Sequence, residues 1–357
     1  MKKARVVAFY LPQFHPIPEN DAWWGTGFTE WTNTAKARPL FRGHYQPHVP
    51  ADLGFYDLRV PETRAQQAEM AERFGIEGFC YYHYWFAGKR LLNRPFDEVV
   101  ASGKPKFPFC LCWANQTWSG VWHGLKDKIL IAQTYPGERD HRAHFETLLP
   151  AFRDIRYIKV EGKPLFLIFL PHEIPEPKAT LALWRQMARE AGLEGIYFVG
   201  NSTAQKPEDF RDMGFDATVQ GPNIKFRPWV KTWRKPLARI KQSIDLRRGI
   251  PHRFDMGNFF EQNKPGRQNW PSYPSLVHAW DNTPRSGSRG IVYENATPQL
   301  FKKMLQLAID SVSHEPEGKR LIFLKSWNEW AEGNHLEPDL RDGMAYLDAL
   351  KDVLGGS

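Results

Sequence analysis

Eight short apolar runs alternate with segments of helical periodicity, and this constrains the fold of the chain more than any other feature. The runs are Val6–Tyr10, Gly78–Phe86, Phe109–Trp113, Leu165–Leu170, Ile196–Val199, Asp216–Val219, Leu276–Trp280 and Leu321–Lys325. Most are apolar at successive positions, as parallel strands covered on both faces should be. The helical segments between them carry recognisable ends. Pro61 opens one that Gly75 closes, Thr180–Ala191 stops at Gly192, and Thr297-Pro298 reads as an N-cap and first position of a helix through Val312. Arg94–Ser102, Asp140–Phe152, a short stretch around Pro207–Met213 and Arg341–Leu354 complete the set. The pattern predicts the α/β class, as a single (β/α)8 TIM barrel over residues 1–357. A doubly wound open sheet is the rival. Its first strand runs into a glycine-rich turn, whereas here Leu-Pro-Gln-Phe-His-Pro follows and contains no glycine.

An insert at about 222–272 lies between the sixth and seventh strands, longer than an ordinary connection. From Asn223 to Arg253 its ten Lys and Arg residues face one acid, Asp245. Pro236 can start a helix with Leu237, Ile240 and Ile244 on one side, just after Trp229 and Trp233. Such a helix suits an anionic membrane surface or a lipid-linked glycan, or it packs its apolar side on the barrel. Nucleic acid is not the expected partner, since the net charge of +8 is modest for a chain of this length. The N-terminal Met-Lys-Lys-Ala-Arg and its apolar run imitate a leader, but the run is short and Pro12 ends it. The expected location is the cytoplasm, peripheral to the inner membrane if the insert binds lipid. Three cysteines, Cys80, Cys110 and Cys112, make no disulfide framework, and the last two share one face of a strand.

In a barrel of this kind the chemistry sits where strands end. After the eighth strand comes Lys325-Ser-Trp327-Asn328-Glu329-Trp330-Ala-Glu332-Gly333. Two carboxyl groups flanked by indoles are what glycoside hydrolysis needs, one protonated and one ionised. An apolar wall and a like charge can keep one of them protonated. On a straight strand positions three apart face opposite ways, so Glu329 and Glu332 converge only if the chain turns near Gly333. Two surface glutamates in a loop are the plainer reading.

The other strand ends supply aromatic and polar residues. His15, Trp24, Glu30 and Trp31 follow the first strand. His83 and Tyr84 close the second, Trp113, Asn115 and Trp118 follow the third, and Trp280 ends the seventh. With Trp327, Asn328 and Trp330 they outline a carbohydrate groove of stacking rings and hydrogen-bonding groups. The 14 Trp, 24 Phe and 12 Tyr equally suit a large core. His44 and His48 have a metal-ligand spacing for a helix, but Pro47 argues against a helix there. No metal or cofactor is expected: GxxxxGK[ST], HExxH, paired CxxC, GxSxG and Asp-x-Asp are all absent.

Several of these motifs resemble one family. Ala-Phe-Tyr-Leu-Pro-Gln-Phe-His-Pro-Ile-Pro-Glu-Asn, Gly-Phe-Thr-Glu-Trp-Thr-Asn, Tyr-Tyr-His-Tyr-Trp-Phe, Trp-Ala-Asn-Gln and Trp-Asn-Glu-Trp-Ala-Glu-Gly are similar to the WbsX-like proteins. Those are often labelled glycosyltransferases of surface polysaccharide synthesis, and are also described as like glycoside hydrolase family 99, the endo-α-mannosidases. The resemblance runs from about Val6 to Leu354 and implies a barrel with a metal-free carbohydrate site. It implies that Glu332 is the general acid/base and that Glu329 deprotonates the substrate's 2-hydroxyl, giving retention through a 1,2-anhydro sugar. That geometry suits α-mannose and α-rhamnose. A transferase and a non-catalytic carbohydrate-binding barrel are the other functions the sequence allows.

Overall fold

The computed structural model of the chain describes residues 3–120, 128–202, 204, 207–221 and 243–355. Eight parallel strands close into a barrel: β1 (Arg5–Tyr10), β2 (Gly78–Phe86), β3 (Phe109–Trp113), β4 (Lys163–Ile168), β5 (Tyr197–Ser202), β6 (Ala217–Gln220), β7 (Ser272–Val277) and β8 (Leu321–Lys325). Each pairs with its neighbours in chain order, and β1 pairs with both β2 and β8, which closes the ring. The expected fold is therefore observed. The seventh strand runs Ser272–Val277 rather than Leu276–Trp280. Trp280–Asp281 instead forms a separate short strand, antiparallel to Ile291–Glu294.

Among the described residues each helix that the sequence signals is found in some form, and four short ones appear that it does not signal. The helices are α1 (Pro18–Trp24), α2 (Glu30–Lys36), α3 (Pro61–Arg73), α4 (Arg94–Ser102), α5 (Glu138–Arg153), α6 (Pro177–Glu190), α7 (Met256–Gln262), α8 (Thr283–Ser286), α9 (Pro298–Val312) and α10 (Ala345–Gly355). Thr297 caps α9, its side chain accepting from the Leu300 amide. Two segments are shorter than expected. Only Arg211–Met213 is helical, as a 3-10 turn, near Pro207, and α10 starts at Ala345 because Asp339, Arg341 and Asp342 form a hydrogen-bonded turn before it. No helix among the described residues is long and apolar enough to cross a membrane.

The period of two along each strand decides what faces the lumen. Phe9 of β1 stacks on Tyr82 of β2 at 5.4 Å and lies 5.6 Å from Phe323 of β8, so these three fill the barrel. Nearer the strand starts, Tyr197 and Tyr273 share a hydrogen bond of 2.9 Å. Cys110 and Cys112 share a face as expected and are buried and free, like Cys80. The alternate residues face the helices: Tyr81 meets Phe96 of α4, and Phe166 meets Trp184 of α6. The lumen is thus a packed core, and the open end is where β8 delivers its loop.

Most of the insert's basic run and its expected helix from Pro236 to Ile240, with Trp229 and Trp233, lie outside the described residues. Of the part that is described, Ile244 is exposed in a short helical turn at 243–247. His252–Asp255 then pairs with Ile291–Glu294. Arg253 is engaged, by Glu294 at 2.7 Å and by the ring of Phe41 at 4.0 Å.

The start of β2 is tightly packed. A Cβ on Gly78 would lie 2.5 Å from the Pro108 carbonyl oxygen and 2.9 Å from Ile158 Cδ1. Gly78→Ala should therefore force a backbone shift and cost about 1–3 kcal/mol. A thermal melt of the variant should show a lower midpoint, and an unchanged midpoint would refute this account of the packing.

Candidate active site

The chain turns where β8 ends. Asn328–Glu329 pairs antiparallel with Asn334–His335, and Trp330–Glu332 forms one 3-10 turn closed by Gly333. Gly333 has a φ of 57°, and a Cβ there would lie 3.0 Å from both the amide nitrogen and the Cβ of Asp281. A left-handed conformation pressed against a neighbouring backbone calls for glycine. This turn brings Glu329 and Glu332 to one point.

The two carboxyl groups hydrogen-bond to each other. The Oε2 atoms of both are buried, with no hydrogen-bond partner among the described residues. Burial, and then the charge of Glu332, pushes the Glu329 carboxyl well above the usual range, with Lys325 and Arg285 opposing more weakly. Burial pushes Glu332 up as well, but Arg285, the hydrogen bond from Glu329, and Lys325 together hold it below its ordinary value. In the ligand-free site Glu329 is thus pushed towards its protonated form and Glu332 towards its ionised form. This is the reverse of the distribution that the resemblance to family 99 implies.

Arg285 is the residue that makes the difference. It sits on α8, after β7, with Nη1 2.5 Å from Glu332 Oε1. Its Nε and Nη2 lie 3.1 and 3.0 Å from Glu30 Oε2. Glu30 opens α2, after β1, where Thr29 and Thr32 form a capping box. Loops from β1, β7 and β8 thus meet at one guanidinium. Lys325, the last residue of β8, adds a second cation, with Nζ 5.3 Å from the centre of the Trp280 ring. Arg285 was missed in the sequence, where its only signal is an Arg soon after the Trp280-Asp-Asn segment. Lys325 opened the motif but drew no role.

Asp281 fixes the helix that carries Arg285. Its Oδ1 accepts from the Thr283 amide at 2.9 Å and from the Thr283 hydroxyl at 2.6 Å. Its Oδ2 lies 2.6 Å from His44 Nε2 and 2.8 Å from Gln46 Nε2. His44 is therefore tied to Asp281 and does not act together with His48. Behind the turn, Glu337 is buried and accepts from Tyr56, Gln67 and the indole of Trp330. Burial raises its pKa to about 7 despite these donors. Glu337 was also not singled out in the sequence.

The residues expected to line a sugar groove separate into three groups. Tyr84 lies beside the carboxyl pair: burial, and next the charge of Glu329, raises its hydroxyl. Tyr82, not expected, is perturbed in the same way. Half-buried Trp118 packs edge-on to Tyr84 at 4.9 Å and to Trp23 at 5.9 Å, and half-buried Trp31 packs on Trp330 at 5.4 Å. Trp24, half-buried against Phe28, and Trp280, under Lys325, belong to the same end of the barrel. Glu30 is there too, but is engaged by Arg285.

The second group is buried scaffold. Asn115 joins the β3 and β4 loops through Leu170 and Tyr135, and Asn328 clasps both backbone groups of Leu11. Trp327 and Trp330 are fully buried, and His15 is held by the Pro12 carbonyl. The third group, His83 and Trp113, faces away from the mouth. His83 Nε2 lies 2.7 Å from His144 Nε2 of α5, and the Trp113 ring lies 4.7 Å from His144. Strand parity is the reason: Tyr82 and Tyr84 face inward, so His83 must face the helices. The expectation that these two contact a ligand at the mouth is corrected accordingly.

A family model described as "Glycosyltransferase WbsX" matches residues 6–350. "Uncharacterized protein WxcX" of Xanthomonas campestris pv. campestris (strain B100) is 42% identical over 354 residues, 98% of this chain and 50% of the relative. Its counterpart in strain ATCC 33913 is 42% identical over 352 residues, again 98% and 50%. The chain spans about half the length of the curated relatives it matches. Among solved structures, a "Glycoside hydrolase-like protein" superposes with a TM-score of 0.60 at 16% identity, covering 99% of this chain and 94% of that one. The GH99 endo-alpha-mannosidase from Bacteroides thetaiotaomicron gives 0.57 at 15%, covering 98% and 95%. At such identities the likeness is one of fold. The family match extends over nearly the whole chain, and the protein belongs to the WbsX family.

Proposed function

We propose that the chain is a retaining glycoside hydrolase-type enzyme for α-manno- or α-rhamno-configured linkages of a bacterial polysaccharide or its precursors. Glu329 and Glu332 are its catalytic pair. The observation that carries this reading is the pair of carboxyl groups brought together beside Arg285 at the end of β8, one pushed up and the other held down in pKa. The family 99-like folds of the structural neighbours agree with it. Half-buried Trp24, Trp31 and Trp118 supply faces on which sugar C–H groups stack.

The route through a 1,2-anhydro sugar needs the proton on Glu332, at the glycosidic oxygen, and a bare carboxylate at Glu329, beside the 2-hydroxyl. The ligand-free pair favours the proton on the other member. Substrate must therefore drive it across the hydrogen bond between them. A glycosidic oxygen that takes the place of Arg285 on Glu332 removes the charge holding that carboxyl ionised, and the proton follows. A second reading, transfer of a sugar in polysaccharide assembly, is favoured by the description of the family model. On either reading the exposed Arg247 and Arg248 are suited to an anionic bilayer carrying a lipid-linked glycan.

Mass spectrometry of defined α-mannosides and α-rhamnosides, incubated alone and with nucleotide sugars, separates these readings. Loss of a sugar unit is expected; gain of one from the nucleotide donor would replace hydrolysis by transfer. Glu332→Gln should lower turnover of ordinary glycosides about 100- to 10,000-fold. Dinitrophenyl glycosides, whose leaving group needs no proton, should recover most of that loss in Glu332→Gln but not in Glu329→Gln. The opposite pattern would exchange the two roles.

Arg285→Gln should destabilise the protein by about 3–5 kcal/mol near pH 7, since it strands buried carboxylates. In that variant burial raises the folded-state pKa of Glu332 above its unfolded value. The deficit should then be smallest at pH 4–5 and grow as pH rises towards 7. Denaturation midpoints across this range would show it, and a deficit independent of pH would contradict the charge assignment. Replacing Arg247 and Arg248 by Gln should weaken sedimentation with anionic vesicles about thirtyfold, at about 1 kcal/mol per charge. Unchanged sedimentation would leave the insert as packing on the barrel.

A further inference from the structure

Beside the hairpin that carries the carboxyl pair, three buried side chains from two loops meet: His48, His335 and Asp339. His48 Nδ1 lies 2.8 Å from His335 Nε2, and Asp339 Oδ2 lies 3.7 Å from the first and 3.9 Å from the second. A triangle with these sides has a circumradius of about 2.1 Å, so one central point lies at zinc-ligand distance from all three atoms at once. We infer that His48, His335 and Asp339 form a binding site for a first-row divalent cation, with Zn2+ the fitting occupant. Two imidazoles and one carboxylate suit zinc and disfavour the all-oxygen preferences of calcium and magnesium.

The surrounding hydrogen bonds support the assignment independently of that triangle. His335 Nδ1 lies 2.8 Å from the Glu337 carbonyl, which only accepts, so Nδ1 carries the hydrogen and Nε2 presents a lone pair. A ring nitrogen anchored on a backbone carbonyl is the usual support for a metal-bound imidazole. Asp339 Oδ1 accepts from the amides of Arg341 and Asp342. Its Oδ2 has no donor within hydrogen-bond distance among the described residues, although the residue is only 4% exposed. A carboxylate oxygen that faces two imidazoles and accepts no protein donor is available to ligate a cation. Arg341 is close enough to favour the Asp339 charge but makes no direct bond to its Oδ2: its guanidinium pairs with Asp342 at 2.7 Å and lies 4.2 Å from the centre of the Tyr45 ring. A divalent ion re-aims the two ring nitrogens from each other to the common centre, and a water completes the fourth position.

The location gives the ion a positioning role rather than a catalytic one. His48 adjoins a clamp in which the Ala51 amide donates to Pro338 and the Leu340 amide donates to Val49. His335 pairs across the hairpin with Asn328, next to Glu329, and stacks on Trp330 at 3.7 Å. Metal there ties the loop after β1 to the hairpin bearing the carboxyl pair. The inference does not depend on the glycosidase reading.

The test uses the full chain without a polyhistidine tag, stripped with EDTA and then dialysed against Zn2+ or Co2+. About one ion per chain is expected by elemental mass spectrometry, with a visible d–d band for Co2+ and a raised melting temperature for Zn2+. Asp339→Asn, which keeps the shape, should bind Zn2+ about 100-fold more weakly, while replacing the exposed His172 by Ala should change nothing. Should His48→Ala fail to fold, Asp339→Asn with an unchanged circular dichroism spectrum decides the matter. Wild-type protein that takes up no Zn2+, equal uptake by Asp339→Asn, or loss of uptake with His172→Ala would each overturn the site. So would a melting-temperature rise with Ca2+ and none with Zn2+.

Discussion

One guanidinium organises the mouth of this barrel. Arg285 holds Glu332 on one side and Glu30 on the other, and Lys325 adds a second positive charge close by. Three carboxyl groups and two cations are thus gathered where water is scarce. Burial and the neighbouring charge of Glu332 push Glu329 towards its protonated form, while Arg285 holds Glu332 towards its ionised form. Burying charge is tolerable only where partners neutralise it and hydrogen bonds complete the shell. Burial beside a second carboxyl group therefore favours a protonated Glu329 before any substrate arrives.

The scaffold behind the mouth is arranged so that this network has little freedom. Asp281 gathers His44, Gln46 and Thr283, and through Thr283 it sets the helix from which Arg285 reaches out. Gly333 presses against the same Asp281, so the arm bearing Arg285 and the hairpin bearing the glutamates share one reference point. Glu337 fixes the indole of Trp330 from below, and Asn328 fastens the hairpin to Leu11. Loops from three strands are held by side-chain contacts to a depth that backbone pairing alone does not reach.

How much of this was legible in the sequence depends on range. The strands were legible because burial on both faces leaves a run of apolar residues, and Glu329 and Glu332 because their spacing, flanking indoles and following glycine are all local. The seventh strand was misplaced towards Trp280, since apolar residues continue past its end into a second small sheet. His83 and Trp113 were chosen by residue type at strand ends, and only the phase of the alternation, visible once Phe9 and Tyr82 are seen to stack, shows that they face α5. Arg285 was not legible because its partners lie 255 and 47 positions away, and an isolated Arg in a short loop carries no mark of them. Likewise, His48 and His335 come together over 287 positions.

The charge balance also bears on the two functional readings. Release of a nucleoside diphosphate requires uncommitted positive charge to meet a polyanionic leaving group, and it requires no proton. Among the described residues at this mouth, Arg285 is committed to two carboxylates, and Lys325 stands over an indole beside a third carboxyl group. The proposed hydrolase-type reading matches this arrangement, since its leaving group is a sugar hydroxyl that departs only if protonated. On the proposed mechanism the same pair then activates whatever hydroxyl arrives next. If that is water, the outcome is hydrolysis; if it is another saccharide, the outcome is a transferred sugar with the same anomeric configuration. The description of the family model and the proposed hydrolase reading thus meet in a carboxyl pair whose first step would be common to both.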